Sequence, residues 1–300
     1  MAQPLVFIVI LNTNRRADTC ALLASLVKTT YGNYRVLILD NASTDGSVQA
    51  IRTSFPDVQL HELERNLGYA GNNNVGIGEA LAQGADWVFV LNEDTILDPE
   101  CLSELVAAGE SSSSIGIVGP MVYHHDEPAV IQSAGGRLGR YWQSEHIGQN
   151  EVDHGQYPAT REVDWISGCA ILVRRDVIEQ VGMLDERFFY YWEETEWCLR
   201  AKESGWRIVH VPAARIWHKG VQRNYQPGPN VTYYATRNRL MMLARHHAPL
   251  VVWLVAWQQT LRTLASWTIR PKWRAMKDHR DAMWQGVWDF VHGRQGMRTV

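Results

Sequence analysis

Residues 5–11 (LVFIVIL) form an unbroken apolar run that stops at Asn12, and no other segment constrains the fold as much. A strand with one wet face alternates apolar and polar residues. Seven apolar residues in succession instead suit a strand covered on both faces. Residues 1–11 also lack a basic start and a small-residue cleavage site, so a buried first strand is expected here rather than a secretory leader. Strand-like runs recur at 35–39 (RVLIL) and 87–91 (WVFVL), with a shorter one at 58–61. Helical spacing lies between them, in 18–28 (Leu22, Leu23, Leu26), 48–53 and 72–83. Strands alternating with helices in this way predict an α/β fold, with a mostly parallel central sheet flanked by helices.

Ligands in such sheets bind at the C-terminal ends of the strands. Two polar clusters fall there, residues 40–47 (DNASTDGS) and 92–98 (NEDTILD). Further on, strands are expected at 115–122, 170–173 and 207–211 and helices at 175–182 and 193–204. Residues 123–160, rich in Gly, His and charge, read as long loops.

Composition narrows the function classes. Apolar residues at 46% and charged residues at 20% fit a globular chain. The four cysteines form no CxxC pair and read as reduced packing residues, not as a disulfide or zinc framework. The net charge of −3 conceals an asymmetry: residues 232–300 hold 11 Lys+Arg against 3 Asp+Glu, and six of the 13 tryptophans. A basic, Trp-rich tail suits the anionic face of a membrane better than nucleic acid, which is not expected as a partner; a solvated helical pair is the plainer alternative. Gln258, Gln259 and Arg262 interrupt its apolar stretch, so a helix lying in the interface is expected rather than a spanning one.

Each candidate site has a bland counterpart. Carboxylates at a strand end, as in residues 91–94 (LNED), can hold a divalent cation that bridges phosphates. Asp98 before Pro99 can equally be capping a helix. Residues 40–47 could bond a base and ribose, or could simply be a turn. Gly68 and Gly71, in 65–74 (RNLGYAGNNN), would let backbone approach a ligand at a helix start. Residues 188–197 (FFYYWEETEW) set three carboxylates beside five aromatics. Apolar surroundings favour the neutral acid and so raise its pKa toward that of a useful base. Acidic residues also favour a helix's first turn. His218, in 217–220 (WHKG), stands out from the other histidines only through these neighbours.

Taken together, in this order and spacing, these segments resemble inverting glycosyltransferases of family 2, in particular their bacterial rhamnosyltransferase-like branch. The resemblance covers residues 6–238 and includes 165–176 (WISGCAILVRRD) and 233–238 (YYATRN). It implies a GT-A fold over residues 1–231. The nucleotide-binding part would span about 1–110 and the acceptor-binding part about 111–231, with 232–300 as a membrane-associating helical tail. Asp40 would contact the base, with Asn12, Asn66, Asn92 and Glu93 also on the donor side. Asp94 and His218 would hold a divalent cation, Mg²⁺ or Mn²⁺. Glu194 would be the catalytic base, with Trp165, Gly168, Trp192 and Glu193 lining the acceptor side.

The implied donor is a nucleotide sugar, dTDP-L-rhamnose or a UDP-hexose. The implied acceptor is a lipid-linked glycan at the inner face of the cytoplasmic membrane, for a surface polysaccharide. Three departures stand out: Asn92 replaces an aspartate, Glu194 and Glu196 stand where Asp is usual, and Val221-Gln222-Arg223 replace a small hydroxyl residue. Two rivals remain. A sugar nucleotidyltransferase needs an early Gly-rich triphosphate loop, which residues 11–16 (LNTNRR) lack. A non-catalytic scaffold would bind nucleotide sugar or glycan without turnover.

Overall fold

The computed structural model describes residues 3–220 and 222–299, so Val221 lies outside the described residues. Its first half is β1 (Val6–Asn12), α1 (Arg16–Leu26), β2 (Tyr34–Asp40), α2 (Ser47–Ser54), β3 (Gln59–Glu62), α3 (Gly68–Ala82) and β4 (Trp87–Asn92). The four strands are parallel, in the order β3-β2-β1-β4. The unbroken apolar run of β1 is explained by its position. Val6, Ile8 and Ile10 enter one core with Leu22, Leu23 and Ile51, while Phe7 and Val9 enter a second with Ala70 and Ile77. Each such side chain contributes about 1.5–3 kcal/mol through burial, so neither face of β1 tolerates a polar residue.

The second half comprises β5 (Thr95–Leu97), α4 (Cys101–Glu110), β6 (Ile115–His124), β7 (Ile131–Ser133), β8 (Gly136–Leu138), β9 (Ser144–His146) and β10 (Arg161–Glu162). It continues through β11 (Ala170–Arg174), α5 (Arg175–Val181), α6 (Glu193–Glu203) and β12 (Arg207–His218). The sheet runs on as β4-β11-β6-β12-β10, with β11 antiparallel to both neighbours and β12 parallel to β6. The tail is helical as expected: α7 (Pro229–Arg245), α8 (Leu250–Ile269) and α9 (Lys277–Val291). No helix among the described residues is long and apolar enough to cross a membrane.

Three local expectations need correction. Residues 123–160 are not all loop: they hold β7 and the β8–β9 hairpin, whose three-residue strands are too short to show a period. The last strand does not stop at 211. It shifts register between Val211 and Arg215, where Pro212 cannot donate to a ladder, and then carries the chain on to His218. Helix α3 starts at Gly68 rather than 72, with the Gly68 amide bonded to Asn66 Oδ1 at 2.8 Å.

Candidate active site

Strand β4 ends at Asn92, and two residues later the chain reverses into β5, which pairs with the end of β12 so that Thr95 lies opposite His218. That pairing brings Asp94 and His218 together, with Asp94 Oδ1 3.1 Å from His218 Nε2. The Lys219 amide bonds the Asp94 carbonyl at 2.9 Å and locks the two segments. Gln132 Oε1 lies 2.9 Å from His218 Nδ1, which selects the Nδ1–H tautomer and leaves a lone pair on Nε2. Asp94 Oδ1 is buried without a hydrogen-bond donor. Two lone pairs facing each other at this distance call for a proton or a metal ion between them. Burial would push the Asp94 carboxyl up, but the adjacent His218, with Arg15 beyond, holds it below the usual carboxylate value.

The residues present fit a divalent cation. A Cβ at Gly220 would lie 2.5 Å from Asp94 Oδ2 and 3.1 Å from His218 Nε2, so the absence of a side chain there keeps the space open. No group of three His, Cys, Asp or Glu side chains placed to hold a metal occurs among the described residues. Asp94 and His218 would offer such an ion two ligands, the rest falling to substrate oxygens and water.

Beside this pair lie Arg15, Asp18 and Lys219, to which the sequence reading assigned no role, and the expected donor-side residues Glu93, Asn12 and Asp40. Lys219 Nζ bonds Asp18 Oδ1 at 2.9 Å, and Arg15 bonds the same carboxylate at 3.2 Å. Burial pushes Glu93 up to about 7, with the Asp94 charge adding to the effect. A cavity of about 710 Å³ lies between α1 and α2, lined by Arg15, Asp18, Cys20, Asp45, Ala50 and Ser54 among others; it shares Arg15 and Asp18 with this surround, but neither Asp94 nor His218 lines it. Asn12 and Asp40 lie side by side at the ends of β1 and β2, both buried. Asn12 Nδ2 donates to Asp40 Oδ1 at 2.6 Å, and its Oδ1 accepts from Thr19 at 2.7 Å, while the Ser43 amide donates to Asp40 Oδ2 at 2.9 Å. Asn12 therefore fixes the Asp40 carboxylate. Asn66 is exposed and serves the start of α3.

Opposite stands the first turn of α6, where the three carboxylates are sorted by their partners. Glu196 is fully buried among cations: Arg200 at 2.8 Å, Arg245 at 2.5 Å and His246 at 3.4 Å. Burial alone would raise its pKa; these partners together lower it. Glu193 and Glu194 have no such partners among the described residues. Burial pushes both up, Glu193 further because of the neighbouring Glu194 charge, and Glu193 Oε2 has no hydrogen-bond partner.

Tyr69 and Cys169 tie the two sides together. The Tyr69 hydroxyl donates to the Gly168 carbonyl at 2.5 Å and feels the charges of Glu193, Glu194 and Glu93. Cys169 feels both Asp94 and Glu194. A Cβ at Gly168 would lie 3.6 Å from Glu194 Cβ, so Gly168 borders Glu194 directly. Trp165 does not line an open surface: it is buried over Gly136, edge-on to His146 at 4.7 Å. Trp192 is half-buried against the cluster formed by Phe188 and Met242.

The loop leading into α6 is strained. Phe189, Tyr191 and Trp192 all have positive φ (63°, 69° and 77°). Non-glycine residues in such conformations cost on the order of 1–3 kcal/mol each and persist only where the surroundings impose them. The Phe189 carbonyl accepts from the amides of Tyr69 and Ala70, which occupies the α3 start expected to face a ligand. The glycine there serves the same contact, since a Cβ at Gly68 would lie 2.5 Å from both the Phe189 ring and its carbonyl.

Comparison with known proteins identifies the family and the fold. The sequence model described as Glycosyl transferase family 2 matches residues 7–182, β1 through α5. The chain belongs to glycosyltransferase family 2. Among family relatives, an N-acetylglucosaminyl-diphospho-decaprenol L-rhamnosyltransferase of Mycobacterium tuberculosis is 31% identical over 269 residues, 83% of each chain. A dTDP-rhamnosyl transferase of Shigella flexneri is 26% identical over 271 residues, 87% of this chain and 88% of the relative. A mannosyltransferase of Pyrobaculum calidifontis, solved with GDP-mannose and Mn²⁺, superposes with a TM-score of 0.61 at 13% identity, covering 98% of this chain and 89% of the other. The fold is GT-A-like. The family match ends at residue 182, before the Glu193–Glu194 pair and His218, so those positions rest on the geometry above alone.

Proposed function

We propose that this family 2 glycosyltransferase inverts the anomeric centre of a sugar as it moves from a nucleoside diphosphate to a hydroxyl of a lipid-linked glycan. Glu194 is the base in this reading. The observation that carries it is the sorting of the α6 carboxylates: cations neutralise Glu196, whereas the buried Glu193 and the half-buried Glu194 stand together with no cation partner among the described residues. Environments that push neighbouring acids apart mark acid–base roles.

The acceptor oxygen attacks the anomeric carbon while its proton passes to the Glu194 carboxylate. The bond from that carbon to the diphosphate oxygen breaks, and the electron pair leaves with the diphosphate. Asp94 and His218 would hold a divalent cation, Mg²⁺ or Mn²⁺, which when bound supplies charge neutralisation for the leaving group. Arg15 and Lys219 add positive charge beside it, and Asp40, fixed by Asn12, stands at the base end of the donor groove. The rhamnosyltransferase relatives favour dTDP-L-rhamnose over a UDP-hexose as donor.

The tail supports a peripheral place at the inner face of the cytoplasmic membrane. Leu250, Val251, Leu254, Leu261 and Ile269 are exposed along α8, and no acidic residue occurs between residues 250 and 277. The test of the whole reading is transfer from dTDP-L-rhamnose or UDP-sugars to a lipid-linked acceptor by the wild type, Asp94→Ala and Glu194→Ala. Near-normal turnover in either variant would sink it.

A further inference from the structure

The strain in residues 188–192 needs a source, and α7 supplies it. Asn238 is fully buried, and its Nδ2 lies 2.8 Å from each of three main-chain carbonyls, those of Phe188, Tyr190 and Tyr191. These peptides flank Phe189, Tyr191 and Trp192, the residues with positive φ, and a carbonyl's direction is what sets the dihedrals on either side. The Tyr190 amide also bonds the Phe188 carbonyl at 2.7 Å, closing a tight three-residue turn at Phe189.

Arg237 in turn orients Asn238, with its Nε donating to Asn238 Oδ1 at 2.9 Å. The remaining Arg237 nitrogens end on the Phe188 and Gly296 carbonyls and the Tyr233 hydroxyl, at 3.1, 2.7 and 3.1 Å. Among the described residues no carboxylate pairs with this fully buried guanidinium; Asp289 is reached through Tyr233, whose hydroxyl donates to it at 2.7 Å. A buried cation spent on neutral main-chain acceptors is poor value as core adhesive. It is well suited to forcing a backbone shape. On the far side, the Tyr69 amide grips the Phe189 carbonyl, so the loop is held from two directions.

We propose that Asn238, oriented by Arg237, is a positioning residue: it imposes the left-handed backbone at 189–192 that starts α6 where Glu194 faces the reacting sugar. This rests on Glu194 as the base. It makes the start of the basic tail part of the active-site framework, whatever the outer helices contact.

The test compares wild type with Asn238→Asp, which keeps the shape but replaces the donating amide nitrogen, and with Arg237→Gln. Amide hydrogen exchange is followed in peptides covering residues 186–195 and in β1, β2 and β4. Transfer kinetics are followed against pH. The expected result is faster exchange confined to 186–195, with kcat lower by about 100-fold, as for an approximately 1 Å misplacement of a reacting group. Donor KM should stay unchanged within a factor of about three, and the acid limb of the pH profile should move. A purely structural role would instead lower the folded fraction, leaving kcat per folded molecule and the pH limb in place, and that result overturns the proposal. Unchanged exchange at 186–195 in both variants overturns it too. If the wild type transfers no sugar, the assignment of Glu194 fails, while the exchange arm still decides whether Asn238 holds the loop.

Discussion

Gly220→Ala tests the cation site without altering a ligand. An added Cβ would sit 2.5 Å from Asp94 Oδ2, where ordinary contact needs 3.4–4 Å. About 1 Å of displacement must therefore be found. Asp94 is buried and its carbonyl is tied to the Lys219 amide, so the carboxylate has little room to retreat. Gly220 itself has no positive φ that alanine would resist, so the cost to the fold is that of the local clash, about 1–3 kcal/mol, and turnover is compared per folded molecule. Misplacing a catalytic group by about 1 Å costs about 10²-fold in rate, or about 2.7 kcal/mol. Thermal unfolding with and without Mn²⁺ plus a nucleoside diphosphate reads the binding side. A ligand at 100 times its dissociation constant stabilises the wild type by about 2.7 kcal/mol, and the variant should show little of this. Wild-type turnover with an intact Mn²⁺-dependent shift in Gly220→Ala would refute the placement of the cation between Asp94 and His218.

Glu194→Gln should reduce transfer by about 10²–10⁴-fold, the range for a lost general base, with donor binding retained in the thermal assay. Because burial raises the pKa of Glu194, wild-type kcat should fall as pH drops through a value above the ordinary 4.5, with an apparent pKa that belongs to the Glu193–Glu194 pair. Glu196→Gln should act on stability instead, costing about 3 kcal/mol in urea unfolding, because it leaves the largely buried Arg200 without its anion and takes one of two anions from Arg245 and His246, which keep Asp185 and Glu203. The lowered pKa of Glu196 gives the sign of its pH dependence: its contribution is present above the unfolded value near 4.5 and is lost as pH falls through the folded value. Leu254→Glu with Leu261→Glu should cut sedimentation with anionic vesicles by more than about tenfold, each leucine being worth about 1.5–3 kcal/mol if buried in the bilayer; unchanged sedimentation would remove α8 as the contact.

What the sequence reveals here follows the range of the interactions concerned. The parallel half is legible because a strand buried on both faces must be apolar throughout, as β1 and β4 are. The start of α3 is hidden because Gly68 and Gly71 look like loop, when in fact Gly68 makes room for Phe189, 121 residues away. Pro212 masks the length of β12, and with it the route by which His218 reaches Asp94. The acidic cluster of α6 shows in the sequence as three equivalent carboxylates. Their division depends on Arg245 and His246, which arrive from α7, and no local pattern encodes that. The motif at 233–238 is visible as a motif, but the work of Arg237 and Asn238 appears only in the bonds they make to residues 188–191.

The charges around Asp94 also give the proposed cation a reason. Asp18 is spent on Arg15 and Lys219, which leaves about one uncompensated positive charge from that trio. Asp94 cancels it, and Glu93, with a pKa near 7, adds a partial negative charge at neutral pH. A nucleoside diphosphate sugar brings two more negative charges into a largely buried corner, where like charges about 4 Å apart repel by about 4 kcal/mol even at an effective dielectric of 20. The protein's own cations are therefore already balanced before the donor arrives. A divalent cation entering with the donor restores that balance, so donor affinity should fall steeply when EDTA is added, and adding salt should not reproduce the loss.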